Sequence, residues 1–459
     1  MSNFAPWKIL HIDLSEDIPE LTPEPQYQGI YAVFWWRGIP LGEREIFPSQ
    51  LPLSASAVRN LAIDAITPTV GDRLLANGFK APLPVVHPDP AWDKPPEFTA
   101  LLALQQPLQQ LQQINNQPIN NSISVIICTR NRAESLARCL RSLLNLTQPP
   151  QQIIVVDNAP KDATTREIVA QIPQVQYVLE PRPGLSIARN TGIRHATGEI
   201  IAFTDDDVEV HPDWCVRLQQ AFINPQVLAV TGLMLPAELE TEAQYIFHQG
   251  SGSSGWEYRA INYDMRFFAN MKHRGVPVWR IGAGANMAFR RQTFELVGYF
   301  DERLGAGASG CSEDSEMWYR ILAEGGICRY EPTSVVFHYH RRDMEAFKSQ
   351  AYQYMRGHVT ALLVQFANYK HWGNLRRLYV TLPKYYLTSI LRSLKHGFSP
   401  RYSSVFTEIL GCVSGIKFYL NNRKKPAWSE PEFSNHMEKL TPLTPQLVGN
   451  GEKSKPVSL

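Results

Sequence analysis

From Ile123 onward the chain alternates short apolar runs with segments of helical period. The runs are "ISVIIC", "QIIVVD", "VQYVLE" and "EIIAFT", and between them stand "AESLARCLRSLLN", "ATTREIVAQI" and "LSIARNTGIRHA". Strands that alternate with amphipathic helices are βαβ units, which predict a parallel sheet covered on both faces. In such sheets ligands bind beyond the carboxyl ends of the strands. Asp157 closes one predicted strand and Asp205, Asp206 and Asp207 follow another, so both acidic sites can face one crevice.

The pattern changes on either side. Residues 1–97 are proline-rich, and "YAVFWWRGIPLGEREI" predicts a strand hairpin in a small α+β unit. Its Tyr31, Trp35 and Trp36 suit either a carbohydrate platform or the buried core of a small domain. The Gln/Asn-rich "LLALQQPLQQLQQINNQPINN" reads as a linker. The expected organisation is a small N-terminal α+β domain over 1–100, a linker over 101–121, an α/β domain over 122–345, a basic helical region over 346–425 and a disordered tail over 426–459.

Charge changes the picture only locally. Forty-five Lys and Arg against 43 Asp and Glu leave no global field, so no nucleic-acid partner is expected. Between Lys370 and Lys425, however, every charged residue but Glu408 is basic, and Trp372, Tyr379, Tyr385, Tyr386, Leu387, Ile390 and Phe398 are interleaved. This stretch fits a basic amphipathic surface on anionic lipid, or equally a solvated helical face packed on the α/β domain. Six scattered cysteines without a C-x-x-C pair read as reduced thiols. The first residues lack a basic start followed by an apolar run, and no stretch reaches the ~18 apolar residues of a spanning helix. A cytoplasmic protein, peripheral at the cytoplasmic membrane face, is the expectation.

Three adjacent carboxylates in "IAFTDDDVEV" should raise one another's pKa unless a cation or hydrogen-bond donors compensate. The plain alternative is an acidic turn capping a helix that begins near Pro212. Asp157 alone fits an Asx-turn in "DNAP" as well as a ligand contact. Arg189 and Asn190 in "ARNTG" could position a ligand, or merely be polar side chains on a helix. In "GAGANMAF" the glycines let backbone approach a ligand, which makes Gly282 and Asn286 pocket candidates, although the same glycines fit a strand bend. In "SEDSEMWYRI" Asp314 shares a helix face with Met317 or Trp318, and an acidic first helical turn is the alternative. "HQGSGSSGWEY", 248–258, fits a lid whose Trp256 and Tyr258 stack on a sugar, or a surface loop.

In order along the chain, "SVIICTRNR", "IIVVDNAPKD", "PGLSIARNTGIRHATGEIIAFTDDDV", "GAGANMAFRR" and "GCSEDSEMWYRI" resemble the family-2 glycosyltransferases over about 123–340. The resemblance implies an α/β fold of GT-A type, a mostly parallel sheet flanked by helices. It also implies an inverting transfer of a sugar from a nucleotide-sugar donor, first of all a UDP-sugar, to a hydroxyl of a saccharide or lipid-linked acceptor in polysaccharide or glycolipid assembly. Asp205 and Asp207 would be the outer acids of a D-x-D motif, Asp205 at the ribose or the metal shell and Asp207 on the metal, with Asp206 beside them, either supporting those acids from behind or contacting the sugar. Thr129, Arg132 and Asp157 match positions around the nucleobase and ribose, Arg189 and Asn190 would position the nucleotide or diphosphate, and Gly282 and Asn286 would line the sugar pocket. Asp314 would be the catalytic base and Glu313 would bind acceptor hydroxyls. His338, with His340 in reserve, would complete the metal ligands; two residues apart in a strand, they would share a face. Carboxylate and imidazole ligands suit Mn2+ as well as Mg2+, and such an ion offsets the charge of a departing diphosphate. A sugar nucleotidyltransferase would need a Gly-rich, lysine-bearing loop that "ICTRNRAES" lacks, and a non-catalytic nucleotide- or glycan-binding protein would lack Asp314 or Asp207.

Overall fold

The computed structural model describes residues 4–76, 122–252, 258–396 and 404–429. The Gln/Asn-rich stretch 101–121, Trp256 and the tail from 430 lie outside the described residues.

The N-terminal part is a three-stranded sheet: β1 (Trp7–Asp13) runs parallel to β2 (Gly29–Trp36), and β2 pairs antiparallel with β3 (Ile39–Ile46). The β2–β3 turn is Arg37-Gly38 with φ of 47° and 76°, the double left-handed conformation of a tight hairpin. Every residue of β2 is buried, because both of its faces are covered. Ile30, Ala32, Phe34 and Trp36 pack on helix α1 (Ala55–Ala76) through Val58, Ala62, Ile63 and Ile66. On the opposite face Tyr31, Val33 and Trp35 pack on Leu233, Leu235, Leu239 and Val335. Tyr31, Trp35 and Trp36 are therefore core side chains and form no carbohydrate platform.

The second sheet begins with β4 (Ile123–Thr129), β5 (Gln152–Asn158), β6 (Val175–Glu180) and β7 (Ile200–Asp205). All pairs among these four are parallel, in the order β7-β4-β5-β6. The period-two alternation divides their side chains between two cores. Ile126, Ile154, Val156 and Phe203 go to one face, and Val125, Ile127, Val155 and Ala202 to the other. Helix α2 (Ala133–Leu144) covers the second face with Leu136, Cys139, Leu140 and Leu143, a spacing that places all four on one helical stripe. After α3 (Thr164–Ala170), α4 (Leu185–His195) covers the first face, where Gly192 stands so near Ile126 that a Cβ would lie 2.5 Å from it.

Beyond β7 the sheet continues through β8 (Val208–Val210), helix α5 (Trp214–Ala221), β9 (Val227–Pro236), helices α6 (Glu242–Phe247) and α7 (Met265–Met271) with β10 (Ile261–Tyr263) between them, β11 (Asn286–Arg290), helices α8 (Arg291–Val297) and α9 (Glu313–Ala323), and β12 (Ile327–His338). β11 lies antiparallel between β7 and β9, β9 and β12 are parallel, and β8 and β10 pair antiparallel with β12. The result is a mixed α/β architecture with a parallel half flanked by helices, as the resemblance implies. The N-terminal sheet touches the ends of this arrangement: Trp35 stacks on His211 at 5.4 Å and lies 6.5 Å from Phe337, just beyond β8 and just before the end of β12.

Four helices complete the described chain: α10 (Met344–Tyr369), α11 (Trp372–Arg376), α12 (Leu382–His396) and α13 (Val405–Asn422). Gly411 and Gly415 bring α13 against the backbone of α10, where a Cβ on either would stand 2.5 Å from the carbonyl oxygens of Tyr352 and Arg356.

Candidate active site

A crevice of about 340 Å³ opens at the carboxyl ends of β4 and β7. Thr129, Arg132, Asp205, Asp206, Asp207 and His338 all line it, so the parallel half of the sheet and the end of β12 converge where a doubly wound sheet places its ligands. The turns that deliver these groups are strained. Asn131, Ala159 and Ser312 hold φ of 55°, 45° and 71° without being glycine; each immediately precedes or follows a crevice residue or the Glu313-Asp314 pair, and such strain concentrates at functional sites.

The three carboxylates are compensated within the chain. Arg132 Nη1 donates to Asp206 Oδ1 at 2.8 Å and to Asp207 Oδ2 at 2.9 Å, and Thr129 Oγ1 donates to Asp206 Oδ2 at 2.7 Å. Asp206 is buried, and that burial pushes its carboxyl up to about 6 despite Arg132. Burial acts on Asp207 in the same direction, but the charge and hydrogen bond of His338, helped by Arg132, outweigh it and hold this carboxyl well below the usual range. His338 Nε2 lies 3.1 Å from Asp207 Oδ1. Burial would lower the imidazole and Asp207 raises it, with the second effect prevailing. The other ring nitrogen, Nδ1, is buried without a hydrogen-bond partner among the described residues.

Arg189 links the acidic triplet to the second acidic pair. It is buried; its Nη1 donates to Glu313 Oε1 at 2.6 Å, and its Nη2 reaches the Gly284 carbonyl at 3.3 Å and Asp205 Oδ1 at 3.5 Å. Burial raises the Glu313 carboxyl to about 7, with Arg189 opposing. Asp314, half-buried, accepts from the backbone N–H of Gly284 at 2.8 Å and of Ser315 at 2.6 Å. Burial raises it too, against Arg189 and those two N–H groups. The close approach depends on glycine, since a Cβ on Gly284 would stand 2.9 Å from Arg189 and 3.2 Å from Asp314.

Five expected contacts point elsewhere, and a sixth lies just outside the crevice. Asn286 is fully buried: it donates to the carbonyls of Leu233 and Ser334 and accepts from the Trp214 indole, so no part of its amide is left for a sugar. A Cβ on Gly282 would meet Thr231 at 2.4 Å, which makes this glycine a packing residue. Asn190 is spent on the backbone of Phe300, whose N–H it accepts and whose carbonyl it bonds. Tyr258 is buried and donates to Glu43 of the N-terminal sheet at 2.5 Å, so it does not swing as part of a lid. His340, the reserve ligand, is buried against Phe247 at 4.4 Å. Asp157 is buried just outside the crevice, with Oδ2 accepting from Tyr177 and Oδ1 unpartnered among the described residues.

The sequence reading missed the loop before α9. Gly305, Gly307 and Gly310 all have positive φ, the Ala306 carbonyl accepts from Leu185 N–H, and Ser186 donates to the Leu304 carbonyl, so this loop roofs the first turn of α4 and lines the crevice through Ala306 and Gly307. Its signal was "GAGASG". Gln350 and Tyr354 of α10 form part of the crevice wall as well.

No group of three or more His, Cys, Asp or Glu side chains among the described residues is arranged to hold a metal. Asp207 and His338 form a pair of suitable donors, while Asp205 turns toward Arg189.

Comparison with known proteins bears out the resemblance drawn from the motifs. Residues 124–298 match the family described as Glycosyl transferase family 2. Succinoglycan biosynthesis protein ExoM of Rhizobium meliloti is 29% identical over 226 residues, 47% of this chain and 65% of its own length. The pre-mycofactocin glycosyltransferase of Mycobacterium tuberculosis is 27% identical over 228 residues, 50% of this chain and 44% of its own length. The chain thus spans less than two thirds of either relative. Among solved structures, the mannosyltransferase PcManGT from Pyrobaculum calidifontis, in complex with GDP-Man and Mn2+, aligns over 67% of this chain and 93% of its own with a TM-score of 0.44 and 17% identity.

Proposed function

We propose that this chain is an inverting, metal-dependent glycosyltransferase of the hexosyltransferase class. It moves a sugar from a nucleotide-sugar, a UDP-sugar being the first to test, to a hydroxyl of a saccharide or lipid-linked acceptor in polysaccharide or glycolipid assembly, at the cytoplasmic face of a membrane. The observation that carries the reading is Arg189: one buried guanidinium spans from Asp205, in the triplet suited to a nucleotide-diphosphate, to Glu313, beside the carboxylate suited to a base. Two acidic sites distant in sequence thereby become one electrostatic unit.

In this reading Thr129 and Arg132 orient the acidic triplet toward the nucleotide, and Asp157, with its free carboxylate oxygen, bonds a base N–H or ribose hydroxyl. Asp207 and His338 would hold the divalent ion, for which their oxygen and imidazole donors are suited; the ion would offset the charge that grows on the departing diphosphate. Asp314 takes the proton of the acceptor hydroxyl as that oxygen attacks the anomeric carbon opposite the leaving group. Its burial supports this role, because a raised pKa makes a carboxylate a better proton acceptor. Glu313, fixed by Arg189, orients acceptor hydroxyls. Asp206 is the buried brace of the triplet and a sugar contact. The division into an N-terminal segment, a 122–345 transferase segment and a basic helical region belongs to the same proposal as a division of the sequence, within one compact unit.

The test is a panel of nucleotide-sugars with Mn2+ or Mg2+, reading diphosphate release with and without acceptors and the anomeric configuration of the product. Metal-dependent release that requires acceptor, with inverted configuration, is expected. Formation of nucleotide-sugar from a nucleoside triphosphate and a sugar phosphate, or a product of retained configuration, would overturn the reading.

A further inference from the structure

The large hydrophobic side chains exposed among the described residues are unevenly distributed. Eleven of eighteen fall between Trp372 and Leu420. On α12, Leu387, Leu391 and Leu394 are each more than half exposed and follow an i, i+4, i+7 spacing, whereas Leu382, Tyr386, Ser389 and Ser393 carry the packed side of the same helix. On α13 the stripe is Phe406, Leu410, Val413 and Leu420, with Lys417 completing the period, and the packed side is Gly411 and Gly415 against α10. Each helix is therefore apolar on two opposite faces, and one face of each meets solvent.

Charge identifies what covers them. Lys384, Arg392 and Lys417 are exposed, and among the described residues none of the three is in an ion pair; Arg423, Lys424 and Lys425 follow at the end of α13. Glu408 is the one acid between Lys370 and Lys425, and it points inward, accepting from Tyr386 and Ser404. Two copies of such a face would bring like charges together. An anionic lipid surface satisfies both features, taking leucine and phenylalanine stripes into the acyl boundary while the cationic side chains reach the headgroups. No described helix is long and apolar enough to cross a membrane, which fits helices that lie in the surface plane.

We propose that α12 and α13 form a peripheral docking face for anionic lipid, with Leu387, Leu391, Leu394, Phe406, Leu410 and Val413 as the inserted side chains. α10 stands between this face and the crevice: its Gln350 and Tyr354 line the crevice, and its Tyr352 and Arg356 carbonyls meet the glycines of α13. Docking thus holds the crevice one helix away from the lipid, where a lipid-linked acceptor is presented. This last consequence rests on the transferase reading; the docking itself does not.

The full chain, without donor or metal, is sedimented with vesicles of phosphatidylcholine alone or mixed with phosphatidylglycerol. Binding is expected on the anionic vesicles and should weaken as salt rises. The triple variant Lys384→Gln, Arg392→Gln, Lys417→Gln should lose roughly 100-fold in affinity, at about fivefold per charge, with the fold intact by circular dichroism. Leu391→Glu with Leu410→Glu should abolish binding. Equal sedimentation with neutral and anionic vesicles, no sedimentation with either, or a dimer in light scattering that the Leu→Glu pair dissolves would each overturn the proposal. Failure of the transferase assay with docking retained would count against the transferase reading alone.

Discussion

Asp314→Asn separates chemistry from structure more sharply than any other substitution. The native carboxylate uses one oxygen for Gly284 N–H and the other for Ser315 N–H. Asparagine keeps one acceptor and turns an NH2 toward the second N–H, leaving that donor unsatisfied at a cost of about 1–3 kcal/mol. A domain stable by about 5–15 kcal/mol survives this loss. Removing the base, by contrast, should cost roughly 100- to 10,000-fold in turnover, which is about 3–5 kcal/mol of barrier. Donor affinity should hold, because Arg132, Asp207 and His338 are untouched. The assay is diphosphate release at saturating donor, alongside calorimetric donor binding and a denaturant midpoint. Turnover within tenfold of the native protein, with the fold and donor binding intact, would refute the assignment of Asp314 as base.

Arg189→Leu leaves Glu313 buried without its partner and should destabilise by about 3–5 kcal/mol; a denaturant shift worth less than about 1 kcal/mol would show that Glu313 finds compensation elsewhere. The Glu313 carboxyl, raised from 4.5 to about 7 in the folded state, binds its proton more tightly folded than unfolded, so ionising it lowers stability as pH rises from about 4.5 through 7. Relative to Glu313→Gln, the native protein should therefore lose about 2–3 kcal/mol more between pH 4.5 and 8; a difference of the opposite sign in paired melts would contradict the burial-driven shift. His338→Ala should weaken Mn2+-dependent donor binding by calorimetry, whereas His340→Ala, which removes packing on Phe247, should lower Tm and leave metal dependence alone. The reverse pattern would move the ligand role to His340.

The parallel half of the fold was legible because its strands and helices carry clean periods: Leu136, Leu140 and Leu143 mark one helical face, and "QIIVVD" is a buried strand. β9 was not, since all ten of its residues are buried and a uniformly apolar run has no period to read. The site divides in the same way. Ordered motifs brought Thr129, Arg132, Asp205 to Asp207 and His338 to one crevice, but which neighbour each side chain faces depends on partners far along the chain. Arg189 and Asn190 differ by one position and hence by about 100° around α4, enough to send one to Glu313 and the other to Phe300. Gly282 and Asn286 were misplaced because glycine signals close approach without saying to what; here it is Thr231, not a ligand. The pairing of Arg132 with Asp206 and Asp207 spans more than seventy residues, beyond any local pattern.

The N-terminal sheet shows that the boundary of similarity and the boundary of the folding unit do not coincide. The matched region starts at 124, yet a protein trimmed to that point would leave Leu233, Leu235, Leu239 and Val335 bare, since Tyr31, Val33 and Trp35 are what cover them. It would also strip the indole of Trp35 from His211 and Phe337, the residues that follow the acidic triplet and precede His338. A segment that carries none of the site residues is thus part of the outer wall of the strands that carry them, and the shortest piece of this chain that can be expected to fold and keep its crevice begins at the first strand.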